Sequence, residues 1–181
     1  MKKLACMALL GALAAPSFAV VVNFDDLLGD NNPVPANYMG IANMTNWTYY
    51  NFSQPPYNPS SGTSRVYNTN DGMIDFGQQV TMVSAFFNGN GDGNGFATIN
   101  YNMFLNNNLV ATSGNLSLDG SGTGAVLNSG YNGAVDKIQV VGSYGFFIMD
   151  DLTYDVVPEP VTMIAFGVAL AAIARRRRAS R

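Results

Sequence analysis

The chain has 181 residues, 48% of them hydrophobic and 12% charged, with no histidine, one cysteine and a formal net charge of −3. Without histidine, and with its one cysteine at position 6, it lacks the groups for a Ser/His/Asp triad, a Cys/His pair or a zinc site of the usual kind. Its length suits one domain with appended signals.

The N-terminus reads as a secretory signal peptide over residues 1–19. Met1-Lys2-Lys3 is a basic start, residues 4–15 are an apolar run, and Ser17-Phe18-Ala19 is a small-x-small cleavage site. Such a segment is handled by the Sec translocon and signal peptidase, and the mature chain then begins at Val20. Cys6 lies inside the apolar run, not after it where a lipoprotein cysteine stands. The exported chain therefore has no cysteine, and its fold must rest on burial and backbone pairing.

Residues 20–157 form the body. Eleven aspartates face Arg65 and Lys137 there, a balance of −9, which excludes a phosphate-tracking nucleic-acid surface. Asn, Gly, Ser, Thr and Tyr are plentiful, as in β-proteins where Asn and Gly turn the chain and aromatic or β-branched residues fill strands. Strands are predicted at 20–24, 47–51, 65–68, 73–76, 80–88, 98–106, 109–118, 125–128, 137–141 and 146–155. Alternation is clearest where Ile99, Tyr101, Met103 and Leu105 interleave with Thr98, Asn100 and Asn102, the signature of an antiparallel sheet with one wet face. Asn106-Asn107-Asn108 predicts a tight hairpin into Leu109. No ten-residue amphipathic helix stands out, so the expected fold is an all-β antiparallel jelly-roll sandwich, flanked by the signal helix and a short C-terminal transmembrane helix.

The stretch 25–64 holds five prolines and a concentration of aromatics. Long loops of this kind are functional or ordered by their own side chains. Trp47, Tyr49, Tyr50 and Tyr57, with Arg65 close in sequence, supply flat rings and hydrogen-bonding groups suited to a sugar. The alternative is that alternate members point inward and fill the core. The acidic pairs Asp25-Asp26 and Asp150-Asp151 stand at the two ends of the body, which neighbouring first and last strands would bring together. Such a cluster suits Ca²⁺, which takes oxygen ligands. Alternatively, one Asp of each pair caps a turn and the other faces water. In the loop 88–95, Asn90, Asp92, Asn94 and Gly95 fit the first half of an EF-hand, but Tyr101 stands where the bidentate Glu is required, so a hairpin loop is the better reading.

The pattern Phe24-Asp25-Asp26-Leu27, Val34-Pro35-Ala36-Asn37-Tyr38 and Asn46-Trp47, closed by Phe147-Ile148-Met149-Asp150-Asp151-Leu152, is similar to galactose-binding-like jelly rolls. That resemblance implies a structural Ca²⁺ with Asp25 and Asp150 among its ligands, and a carbohydrate-binding role. No other cofactor is expected.

The C-terminal residues 158–181 combine three parts. Pro158-Glu159-Pro160 is held extended. Residues 161–174 are apolar on every face and span about 21 Å as a helix, short against a hydrocarbon core of about 30 Å. Arg175, Arg176, Arg177 and Arg178 form a basic stop that stays cytoplasmic. An ordinary anchor or a packed core helix are the alternatives. The three parts in this order resemble the PEP-CTERM sorting domain of exported bacterial proteins. The resemblance implies transient inner-membrane insertion, recognition and cutting by an exosortase, and delivery to the cell surface or an exopolysaccharide matrix. A non-catalytic surface or matrix protein is the expectation, with a specific carbohydrate-binding module as the alternative and a two-aspartate glycosidase as a remote one.

Overall fold

Apolar and polar residues alternating along the chain set the strands. In the strand Ala97–Leu105, Ile99, Tyr101 and Met103 are buried while Thr98, Asn100 and Asn102 are half-exposed. The computed structural model describes residues 19–68, 72–90, 97–142, 147–158 and 167. Its strands are β1 (Ala19–Val22), β2 (Asp30–Pro33), β3 (Asn43–Thr45), β4 (Thr48–Tyr50), β5 (Arg65–Asn68), β6 (Gly72–Gly89), β7 (Ala97–Leu105), β8 (Asn108–Thr112), β9 (Leu116–Leu118), β10 (Ala125–Asn128), β11 (Val135–Gly142) and β12 (Phe147–Val156). Among the described residues of the body there is no helix. The predicted signal peptide up to Phe18, the tail beyond Pro158 apart from Gly167, and residues 91–96 of the Asn/Gly loop lie outside the described residues.

All twelve strands join one hydrogen-bonded network whose long path runs β2-β4-β5-β12-β6-β11-β7-β8. Each pairing is antiparallel. The long β6 turns this network into a sandwich. Its first residues, 72–75, pair with β3 and β11, while residues 80–89 pair with β12 and residues 84–87 with β10. Between the two halves the strand bends at Gly77 (φ +68), whose N–H donates to the Asp75 carboxylate at 2.9 Å. A strand that changes partners at a bend carries a sheet round a corner. Contacts then cross between the layers. Phe87 of β6 lies 5.9 Å from Tyr101 of β7, and the Tyr101 hydroxyl donates to the Leu127 carbonyl of β10 at 3.2 Å. The buried faces of β6, β7, β11 and β12 supply most of the core.

First and last strands are neighbours, with β1 paired to β12 from Ala19–Asp155 to Val22–Leu152. The register of β12 against β6 shifts between Asp150 and Thr153, where Asp151 takes φ +48. This bulge moves the core-facing set from Phe147 and Met149 to Leu152 and Tyr154.

Three differences from the sequence reading have physical causes. The expected strands 73–76 and 80–88 are one strand, because β11 pairs on both sides of the bend, Lys137 with Asp75 and Val135 with Val80. The expected strand 109–118 is two, because the Ser113 hydroxyl accepts the Tyr101 N–H at 2.8 Å in place of a backbone carbonyl. β2 and β3 form inside the supposed long loop, β2 as a fully exposed strand whose backbone pairs with β4. The Asn106-Asn107 hairpin is as expected, with φ values of +52 and +63 that match a type I′ turn.

Candidate functional site

The aromatic segment is anchored on the sandwich by its own largest members. Trp47 is 1% exposed and meets Phe147 edge-on at 6.3 Å. Tyr50 is buried at the end of β4, where Phe52 and Tyr67 pack on it at 4.7 and 5.5 Å. Arg65 is 2% exposed, with its guanidinium carbon 4.1 Å above the Tyr50 ring. Its Nη1 donates to the Thr63 carbonyl at 2.7 Å and its Nη2 to the Phe52 carbonyl at 2.6 Å. Stacking and two carbonyl bonds make Arg65 a staple for the loop. Burial raises the Tyr50 phenol above its ordinary pKa, and Arg65 partly opposes that shift.

Of the five residues expected to meet a sugar, Trp47, Tyr50 and Arg65 are thus turned inward, while Tyr49 and Tyr57 keep partial exposure. Tyr49 packs against the core. Tyr67 donates its hydroxyl to the Asn31 carboxamide at 2.9 Å.

The two acidic pairs do come together, on the loop 60–63. Asp150 is fully buried, and its Oδ2 accepts the N–H groups of Ser60 and Ser61 at 2.9 and 3.0 Å. Its Oδ1 accepts the N–H of Asp151 at 2.8 Å, and the Ser61 hydroxyl donates to Asp151 at 3.1 Å. From the other end of the chain, Asp25 Oδ1 accepts the Thr63 N–H at 3.3 Å. Gly62 fits between these clamps because it has no side chain; a Cβ there would stand 1.8 Å from Asp25 Oδ1, and its φ is +50. Asp26 accepts the Tyr38 hydroxyl, and burial together with that bond raises the Tyr38 pKa. Burial also pushes Asp150 up to about 7, against the pull of its amide donors.

This donor set does not fit a calcium ligand at Asp150. Three N–H groups already point at its oxygens, and their dipoles oppose a cation. Among the described residues no group of three or more His, Cys, Asp or Glu side chains is arranged to hold a metal ion. Thermal unfolding in millimolar Ca²⁺ is expected to give the same midpoint as in chelator. A rise of several degrees with Ca²⁺ would restore Asp25 and Asp150 as ligands.

Strand β12 ends at Val156, two residues before Pro158. Val156 pairs with Val80, the Val157 N–H donates to the Gln79 carbonyl at 3.0 Å, and Pro158 follows at once. The family model of the PEP-CTERM protein-sorting motif matches residues 156–178, beginning inside β12 and covering Pro158, Glu159, Pro160 and the four arginines. No curated protein matches the chain. The motif indicates an exported protein sorted by an exosortase to the cell envelope or surface.

Proposed function

We propose that the protein is a non-catalytic component of the cell surface or extracellular matrix, freed from a transient membrane anchor by exosortase and associated with extracellular polysaccharide. One observation carries this reading: the last strand of a cysteine-free sandwich leads directly into the sorting motif at residues 156–178. The body is then a self-sufficient cargo, ready to be cut loose. Its most convergent carboxylates, Asp25 and Asp150, are occupied in clamping one loop, which favours cargo over a two-aspartate hydrolase. Pairing of β1 with β12 supports a jelly-roll-like closure of the body.

Proteolytic enzymes take extended segments that are free of backbone pairing. Signal peptidase cuts before Val20 during export, ahead of the pairing of β1 with β12; the exosortase meets the folded body, whose backbone is paired through Val157, so its cut is expected beyond that residue. Intact-mass measurement of the released protein should give a chain that starts at Val20 and ends at or after Pro158. A product ending within β12 would contradict this reading.

A further inference from the structure

A groove of about 350 Å³ opens beside the end of β12, where its wall residue Asp155 directly precedes the matched sorting motif. Thr81 and Asp155 form one wall as direct cross-strand partners on β6 and β12, so their side chains stand side by side on one face. The end of β10 and the loop that follows it form the other wall, with Asn128, Ser129, Tyr131 and Asn132. This loop is built to hold its shape. The Ser129 hydroxyl donates to the Tyr131 carbonyl at 3.3 Å and accepts the Tyr131 N–H at 3.4 Å. The Tyr131 ring packs against the core and lies close over Gly133, where a Cβ would come within 2.2 Å of its hydroxyl.

Four polar side chains of the groove are available to a ligand. Among the described residues the side chains of Thr81, Asn128, Asn132 and Asp155 make no hydrogen bond to another protein group. They offer a hydroxyl, two carboxamides that donate and accept, and a carboxylate that accepts. Tyr131 adds a half-buried aromatic body. That mixture matches a ring bearing several hydroxyls and an apolar C–H face, and the volume is at the small end of ligand sites, room for about one or two sugar rings. Among the described residues no Lys or Arg lines the groove. With Asp155 in the wall and a body charge of −9 from eleven aspartates against Arg65 and Lys137, uronates, sulfated sugars and phosphates are repelled.

We propose that this groove, and not the aromatic segment, is a binding site for a neutral sugar unit of an extracellular polysaccharide, with Asp155 and Asn132 accepting and donating hydrogen bonds to its hydroxyls and Tyr131 supporting its ring. The assignment rests on the matrix reading above for its setting.

Native affinity electrophoresis of the released protein tests it, in gels containing either the neutral fraction of the producing cells' own extracellular polysaccharide or polygalacturonate. Retardation is expected in the neutral gel and not in the acidic one. Asp155→Ala and Asn132→Ala should each weaken that retardation about tenfold or more, with melting midpoints within about 2 °C of the parent. Asn132 is exposed in a loop, so its variant reads binding apart from folding. Absence of retardation in the neutral gel, stronger retardation by polygalacturonate, or full binding by both variants would each overturn the assignment. None of these outcomes alters tail processing and release, which are read separately from the mass and location of the protein.

Discussion

Trp47→Ala should destabilise the protein by about 3–5 kcal/mol, the usual range for emptying a buried aromatic site. For a body of this size that lowers the melting midpoint by roughly 10–20 °C. Trp47 is closed off from solvent and holds the segment between β3 and β4 against Phe147. Its loss leaves a cavity at the point where the aromatic segment meets β12. Trp47→Phe should cost much less, because the edge contact to Phe147 survives and the indole N–H that is removed has no acceptor among the described residues. Urea unfolding with an unchanged m-value checks both variants. If Trp47→Ala kept the stability of the parent, the indole would have to be exposed, and the aromatic segment would return as a ligand surface.

Asp150→Ala should cost about 3 kcal/mol near pH 5, since it leaves the buried N–H groups of Ser60 and Ser61 without their acceptor. The cost should shrink at pH 8. The sign follows from the proton. Burial raises the Asp150 carboxyl from 3.8 to about 7 in the folded protein, so the folded state binds that proton more tightly than the unfolded chain. Its contribution is full below about pH 4 and is lost as pH rises to about 7. A shift of this size corresponds to roughly 4 kcal/mol as an upper bound. Parent and variant compared by urea unfolding at pH 5, 6.5 and 8 isolate this one group from the other aspartates. Equal pH slopes in the two would show that Asp150 is ionised at both extremes and that its amide donors outweigh burial.

How much of this was legible in the sequence differs by region, for physical reasons. The alternation of Ile99, Tyr101 and Met103 against polar neighbours marked β7, and Asn106-Asn107 marked a turn whose positive φ values asparagine accepts. The sorting motif was legible because its three parts are contiguous. β2 was not, since Asp30, Asn32 and Pro33 carry no strand signal and pair through β4. The aromatic segment was visible as a group, but a sequence reads alike whether its rings face water or core. Arg65 is withdrawn by the carbonyls of Thr63 and Phe52, which have no side-chain signature. The meeting of Asp25 with Asp150 followed from the neighbouring first and last strands, and capping of a turn by one Asp of each pair was the alternative to a metal; that the amides come from Ser60, Ser61 and Thr63 had no signature in the sequence. Thr81, Asn132 and Asp155 were invisible as a set, because only the register of β6 against β12 and the loop after β10 bring them into one groove.

On the proposed reading a folded body is carried to its destination by a tail that is then removed. The mass and location of the protein in cells with and without the exosortase test this most directly. With the enzyme, the expected form has lost the four arginines at 175–178 and appears at the cell surface or in the extracellular fraction. Without it, the full tail should remain and the protein should stay with the inner membrane. An intact tail on the protein from enzyme-containing cells, or the same mass and location in both strains, would contradict the account.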